Sequence, residues 1–456
     1  MKTINKRTLL LIIVTALFLC GTALLMFSMF SHAQEYALVS INAHLYDSGV
    51  LLNAGDIVDV NGIKLAYTQD GERKYADDSD TRAALLHIIG DDAGFIDGGI
   101  QDTFREDLCG YNIVYGVNKT SRNILQLSLD AELCADAYNA LYPYKGCIAV
   151  CNYKTGELVC IATSPSYDVY NVPGDLDDEE KYEGVYINRL FGGLYTPGST
   201  FKVVTALAAI ENIDDIFNQT FYCSGSYSTT GGQIICNDVH GTVTFKQALN
   251  QSCNIAFAQI AAQLGADRLN EAFTAAGLDM RRETIDRLYV KGGISGADSS
   301  QSAADLGWAG IGQSTTLVNP YAFLNFMCAI ANGGKAYEPY FVKSAVNENG
   351  RSTYTAEPVD SGISINPSTA STLKELLRSD VSDYYGDYMF GDITMCGKTG
   401  TAEIDDKKPH AWFVGFSYDD SFPYAVVAVL ENSGSGLRYA GSAAAEIMQK
   451  LYDKLP

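Results

Sequence analysis

Lys2, Lys6 and Arg7 give way at Leu9 to an apolar run that reaches Phe30, with Thr15, Thr22 and Ser28 as its polar side chains. As a helix these 22 residues would extend about 33 Å, enough to cross a hydrocarbon core. The positive charges precede the run, which keeps the N-terminus cytoplasmic and places everything after residue 33 outside. Ser31-His32-Ala33 also fits a small-x-small cleavage site. The run exceeds the usual apolar stretch of a signal peptide, so a retained anchor is the expected reading. Cys20 lies in a lipobox-like position, but Leu19 before it is too large for lipoprotein processing.

Past the anchor the pattern shortens. Val50-Leu51-Leu52, Ile57 to Val60 and Ile63 to Ala66 read as short strands, separated by the turn residues Asn53, Gly55 and Asn61-Gly62. Asp77 to Asp80 opens a helix over Thr81–Ile89, and Gly90 to Gly110 reads as loop with a short helix. From Arg122 the periodicity is clearer: a strand over Asn123–Leu129, then a helix to Leu141 capped by Asp130. Gly146–Val150 and Glu157–Thr163 form a hairpin about Lys154-Thr155-Gly156. Asp175–Glu183 is an acidic, solvated loop. An apolar helix follows Ser199, and two helical stretches flank Gln251. Strand-like runs return at Ile393–Ile404, Ala411–Tyr418 and Tyr424–Leu430, before an amphipathic helix over Ala440–Leu455. Strands before and after a helical middle predict an α+β fold with one sheet completed by both ends of the domain.

Composition narrows the function. The chain has 456 residues, 47% of them hydrophobic, and a net charge of −22, so it is globular and ill suited to nucleic acid. Eleven cysteines are too dilute for a disulfide scaffold. No C-x-x-C is present, and Cys147 and Cys151 form a C-x3-C without a nearby His, so most thiols are expected to be small buried hydrophobes. Cys223 and Cys236 flank the Gly- and Ser-rich segment Ser224–Gln233, which reads as a hairpin or loop; the two could close a disulfide or stay as reduced buried thiols.

Three short segments carry chemistry. Ser199 stands at a helix N-terminus with Lys202 one turn later on the same face, the spacing of a Ser–Lys nucleophile–base pair. An amine in so apolar a stretch has its charged form disfavoured, which suits a base. Ser252-Cys253-Asn254 must lie on a turn between helices if both polar side chains are to face one cleft. Lys398-Thr399-Gly400-Thr401 alternates along a strand, and Gly400 leaves room for close approach. Each has a plain structural alternative: helix caps for the first two, an edge strand guarded by Lys for the third.

In this order, S-x-x-K, S-x-N and K-T-G resemble the signature of the penicillin-binding protein transpeptidases. His240-Gly241, Gly310 to Gln313, Ala331 to Gly334 and Ala411 to Gly415 match further patterns of that family, and Asp59 to Gly62 resembles a degraded acidic-basic-Asn-Gly turn. Ser314 and Cys253 depart from the pattern without removing a catalytic side chain. The resemblance implies an antiparallel sheet flanked by helices with a mostly helical subdomain. It divides the chain into residues 1–33 (tail and transmembrane anchor), 34–121 (a small pedestal, too short for a glycosyltransferase) and 122–456 (the transpeptidase domain). It implies a single-pass cell-membrane protein of the monofunctional, class B type that crosslinks peptidoglycan stem peptides and is acylated by β-lactam antibiotics. Division or elongation membrane proteins would be its partners, and no cofactor, metal or nucleic acid is implied. Ser199 would attack, Lys202 take the proton, and Ser252 and Lys398 pass it to the leaving D-alanine. Asn254 would bind the substrate amide, while Thr399, Gly400 and Thr401 would hold its carboxylate end. A D,D-carboxypeptidase shares all these residues. A β-lactamase would need a Glu for deacylation, and Asp267-Arg268-Leu269-Asn270, the one lookalike, lies too close to Ser252. A penicillin sensor would need further membrane spans, and a non-catalytic scaffold would not need the motifs.

Overall fold

The computed structural model describes residues 2–37, 46–47, 50–51, 54–91, 94–96, 98–112, 116–117 and 122–455. Lys2–Ser31 is one helix, and its stretch Asn5–Ser31 is long and apolar enough to cross a membrane, with none of it buried against the rest of the protein. Leu52 and Asn53 lie outside the described residues.

The centre is a five-stranded antiparallel sheet ordered Leu158–Ser164, Gly146–Asn152, Tyr424–Leu430, Lys407–Ser417, Met395–Ile404. Early and late strands therefore complete one sheet, as the alternating runs predict. Its middle strands are buried along nearly their whole length, because helices cover both faces. Pro320–Ala331, buried at every residue, packs on one face. Ala131–Leu141 and Ser442–Asp453 pack on the other. Asp130 caps the former through Leu133 N–H, as expected. The buried helix Pro320–Ala331 has no polar face, and so no amphipathic period announces it.

The expected boundary at residue 121 runs through a shared structure. Asp56–Val58, Lys64–Gln69 and Glu72–Tyr75 join Ile124–Leu127, Val342–Val346 and Ser352–Thr355 in one six-stranded sheet. Asp56–Val58 pairs in parallel with Ile124–Leu127. Asp59, fully buried, binds its own turn through Asn61 N–H at 2.9 Å and Ile63 N–H at 2.7 Å, and reaches Ala131 N–H at 3.2 Å. Its carboxylate thus ties the turn at Gly62 to the first residue of a helix beneath the central sheet. Gly90–Gly110 holds two short helices, Ile100–Thr103 and Arg105–Leu108, among its described residues.

Candidate active site

Ser199 lies in a 3-10 turn, Gly198–Phe201, that runs directly into the helix Lys202–Asn212. The tighter turn replaces the helix start expected at Thr200. In 3-10 geometry residues i and i+3 eclipse, which aligns Ser199 with Lys202 and sets Nζ 3.1 Å from Oγ. The turn needs Gly198, whose φ is +55° and whose N–H donates to Gly312 O at 2.8 Å. Thr200 Oγ1 donates to Pro197 O at 2.8 Å, and Trp412 Nε1 holds Thr196 O at 3.0 Å, anchoring the turn to the sheet.

Ser252 occupies the turn between helices Phe245–Asn250 and Asn254–Ala275, as its spacing demands, in the left-handed region at φ +53°. Lys202 Nζ lies 2.6 Å from Ser252 O, 3.0 Å from Ser252 Oγ and 2.7 Å from Asn254 Oδ1. Asn254 Nδ2 donates to Ile235 O at 2.9 Å, so the amide oxygen faces the amine. In this structure Asn254 orients Lys202, rather than presenting its amide solely to a substrate. An ammonium has only three protons for these partners and Ser199 Oγ. Two of them, Ser252 O and Asn254 Oδ1, can only accept. A neutral amine meets both and keeps a lone pair for a hydroxyl proton.

Lys398, Thr399, Gly400 and Thr401 lie on Met395–Ile404, the last strand of the sheet, whose outer edge no other strand covers among the described residues. Gly400 is packed so closely on the turn that carries Ser199 that a Cβ there would meet Pro197 O at 2.6 Å. Thr401 Oγ1 accepts from Gly436 N–H at 3.1 Å. Lys398 Nζ binds Tyr385 Oη at 2.9 Å and lies 3.4 Å from Asp380 Oδ2. Tyr385 Oη also takes Thr399 N–H at 3.1 Å and Thr399 Oγ1 at 2.9 Å, and donates to Asp380 Oδ2 at 3.2 Å. The bonds of Lys398 thus run to Tyr385 and Asp380, while Ser252 Oγ is held by Lys202. Among the described residues no direct hydrogen bond closes the relay expected between Ser252 and Lys398.

The two lysines are pushed in opposite directions. Burial, and then the nearby Lys398 charge, lower the Lys202 amine to about 7. Burial works against the Lys398 charge as well, but Asp380 and Tyr385 outweigh it and hold that ammonium above the ordinary lysine value. Burial pushes the Asp380 carboxyl up, and Lys398 pulls it back. Two titratable groups driven apart in one site divide into a base and a fixed cation.

Asp380 and Tyr385 were not legible from the motifs. They stand at the end of the helix Pro367–Asp380 and in the π-turn Val381–Tyr385, upstream of Lys398 with no marking pattern. Asp267 is exposed on the helix Asn254–Ala275, and Asn270 beside it is engaged by Ser295 and Ala297.

Comparison with known proteins places this geometry. The chain is 28% identical over 326 residues to the peptidoglycan D,D-transpeptidase PbpA of Mycolicibacterium smegmatis, covering 66% of this chain and 65% of that protein. It is 27% identical over 352 residues to the stage V sporulation protein D of Bacillus subtilis, covering 73% and 52%. The chain thus spans less than two thirds of the length of these relatives. Among solved structures, the D,D-transpeptidase domain of a peptidoglycan glycosyltransferase from Eggerthella lenta superposes with a TM-score of 0.76 at 25% identity, covering 88% of this chain and 99% of that one. The imipenem acyl-enzyme complex of penicillin-binding protein A from M. tuberculosis shares the fold, with a TM-score of 0.77 at 23% identity over 88% and 98%. Residues 146–453, which contain all three motifs and the whole central sheet, match the penicillin binding protein transpeptidase domain, and the chain belongs to that family.

Proposed function

We propose that the chain is a membrane-anchored serine D,D-transpeptidase that crosslinks peptidoglycan stem peptides and forms an acyl-enzyme with β-lactams. The observation that carries this reading is the buried Lys202 amine, lowered to about 7 and 3.1 Å from Ser199 Oγ. Ser199 attacks the carbonyl of a terminal D-Ala-D-Ala bond, and its proton passes to Lys202. Ser252 Oγ, also on Lys202, stands next in line to carry the proton to the departing D-alanine. Lys398, a cation fixed by Asp380, offers its field to the substrate's terminal carboxylate, with the Thr399 and Thr401 hydroxyls beside it. The uncovered edge of Met395–Ile404 is a strand on which an extended peptide can lie. The backbone N–H groups of Ser199 and Thr401 would serve as oxyanion donors, as in the family the chain resembles. An amine of a second stem peptide then takes the acyl group and frees Ser199. The helix Asn5–Ser31 serves as a single-pass anchor with the folded part outside. The similarity to PbpA of Mycolicibacterium smegmatis, a peptidoglycan D,D-transpeptidase, supports the same assignment.

A fluorescent penicillin should label the wild type stably and leave Ser199→Ala unlabelled. Undiminished labelling of that variant would overturn the assignment of the nucleophile, and rapid turnover of the penicillin would favour a β-lactamase. Mass spectrometry of muropeptides incubated with the protein should find crosslinked dimers. Trimmed monomers alone would make it a carboxypeptidase.

A further inference from the structure

Beside the Ser252–Asn254 turn, three thiols and an imidazole converge. Cys223 ends the strand Thr220–Cys223, Cys236 follows the strand Gly232–Ile235, and His240 precedes Gly241–Thr244. Cys223 is the register partner of Gly241, which brings His240 alongside it. Cys236 N–H closes the base of the hairpin on Gly225 O at 3.0 Å. Cys253 is the N-cap of the helix Asn254–Ala275 and the middle residue of the S-x-N motif. The four donor atoms lie within 4.8 Å of one another.

The spacings fit a metal better than a disulfide. Tetrahedral zinc, with bonds of about 2.3 Å to sulfur and 2.0–2.1 Å to nitrogen, separates its ligands by about 3.8 Å for S···S and about 3.5 Å for S···N. Here Cys236 Sγ and Cys253 Sγ are 4.0 Å apart. His240 Nδ1 is 3.4 Å from Cys223 Sγ and 3.5 Å from Cys236 Sγ. Sulfurs 4.0 Å apart would have to close to about 2.05 Å to bond covalently. Backbone N–H groups already point at the sulfurs: Asn254 N–H at 3.3 Å from Cys236 and Ala256 N–H at 3.5 Å from Cys253. Such donors stabilise coordinated thiolate from the outer shell. Three cysteines and one histidine satisfy zinc's four positions and leave none open, the mark of a structural site.

We propose that Cys223, Cys236, His240 and Cys253 bind one zinc ion, which pins the Ser252–Asn254 turn and so positions the two residues that hold Lys202. Each thiol gives up its proton on binding, and Nδ1 of His240 coordinates with the ring proton on Nε2. Ser252 sits at φ +53°, a conformation that surrounding structure must enforce. The metal does so through Cys253, one residue away. The effect on acylation rests on the acyl-transfer reading; the zinc site does not.

The full chain, purified in detergent with reductant and no chelator, should carry one zinc by elemental mass spectrometry. Cys236→Ser and His240→Gln should each lose it. Cobalt(II) in its place should give the intense visible bands of a tetrahedral thiolate site. Stripping the wild type with a strong chelator should lower its melting temperature, expose three further thiols to alkylation and slow penicillin labelling several-fold, with all three effects reversed by zinc. A wild type that contains no zinc, a disulfide among these cysteines in the native chain, or labelling unchanged after the zinc is gone would overturn the proposal. Zinc content, thiol count and cobalt spectrum are read without any penicillin, so their failure is distinct from a failure of the acyl-transfer reading.

Discussion

The Lys398 ammonium lies 3.4 Å from the Asp380 carboxylate, and neither side chain reaches solvent. One motif lysine is thereby held as a cation while the other, Lys202, is driven toward neutrality partly by that charge. Asp380 is thus a positioning residue for Lys398. Among the described residues its Oδ1 has no hydrogen-bond partner, so the carboxylate depends on its Oδ2 contacts with Lys398 and Tyr385.

Breaking that pair leaves an uncompensated buried charge. Asp380→Ala should lose about 3–5 kcal/mol of stability, read by denaturant unfolding. Tyr385→Phe removes one hydroxyl shared by Lys398, Thr399 and Asp380 and should cost about 1–3 kcal/mol. If Asp380→Ala unfolds like wild type, the pair does not hold the cation.

The acylation rate should rise with pH through about 7, where Lys202 loses its proton. The sign follows from the role: the base must be neutral, and the neutral form grows as pH rises. Asn254→Asp would place a carboxylate where Oδ1 now accepts from Lys202 at 2.7 Å. That charge favours the ammonium, so the rising limb should move to higher pH. Stopped-flow acylation by a chromogenic cephalosporin measures both profiles, and an unmoved limb in the variant would count against Lys202 as the base.

Gly400→Ala should separate the edge strand from the nucleophile turn, because the new Cβ would meet Pro197 O at 2.6 Å and Thr200 Cγ2 at 3.0 Å. Overpacking of this kind costs about 1–3 kcal/mol. Penicillin labelling should fall more than stability does, since the displaced strand carries Lys398 and Thr401. Equal losses in both would mean that the contact is structural only.

Asp59→Ala should destabilise the whole folded part. It orphans N–H groups of Asn61, Ile63 and Ala131, at about 1–3 kcal/mol for each one left buried. One unfolding transition, shifted as a unit, is expected from the shared six-stranded sheet. Two transitions, with only the earlier one shifted, would show that residues 34–121 unfold independently.

The Ser199–Lys202 contact, the S-x-N turn and the K-T-G strand were legible because each depends on local spacing. One helical turn separates Ser199 from Lys202, two residues cannot share a helix face at i and i+2, and alternation marks a strand. The long apolar N-terminal helix and the sheet completed from both ends were legible for the same reason, as apolar runs of the right length and period. What surrounds those motifs was not. Asp380 and Tyr385 reach Lys398 because the end of the helix Pro367–Asp380 and the π-turn after it pack against the strand Met395–Ile404, a contact with no local period. Cys223, Cys236, His240 and Cys253 are separated by twelve, three and twelve residues, a spacing that matches no short motif until strand pairing folds it into one cluster. Sequence by itself determined which groups can react, since that is a property of neighbours along the chain. Tertiary structure decided that Lys398 is held as a cation, because Asp380 and Tyr385, the residues that oppose its burial, are brought to it from outside its own motif.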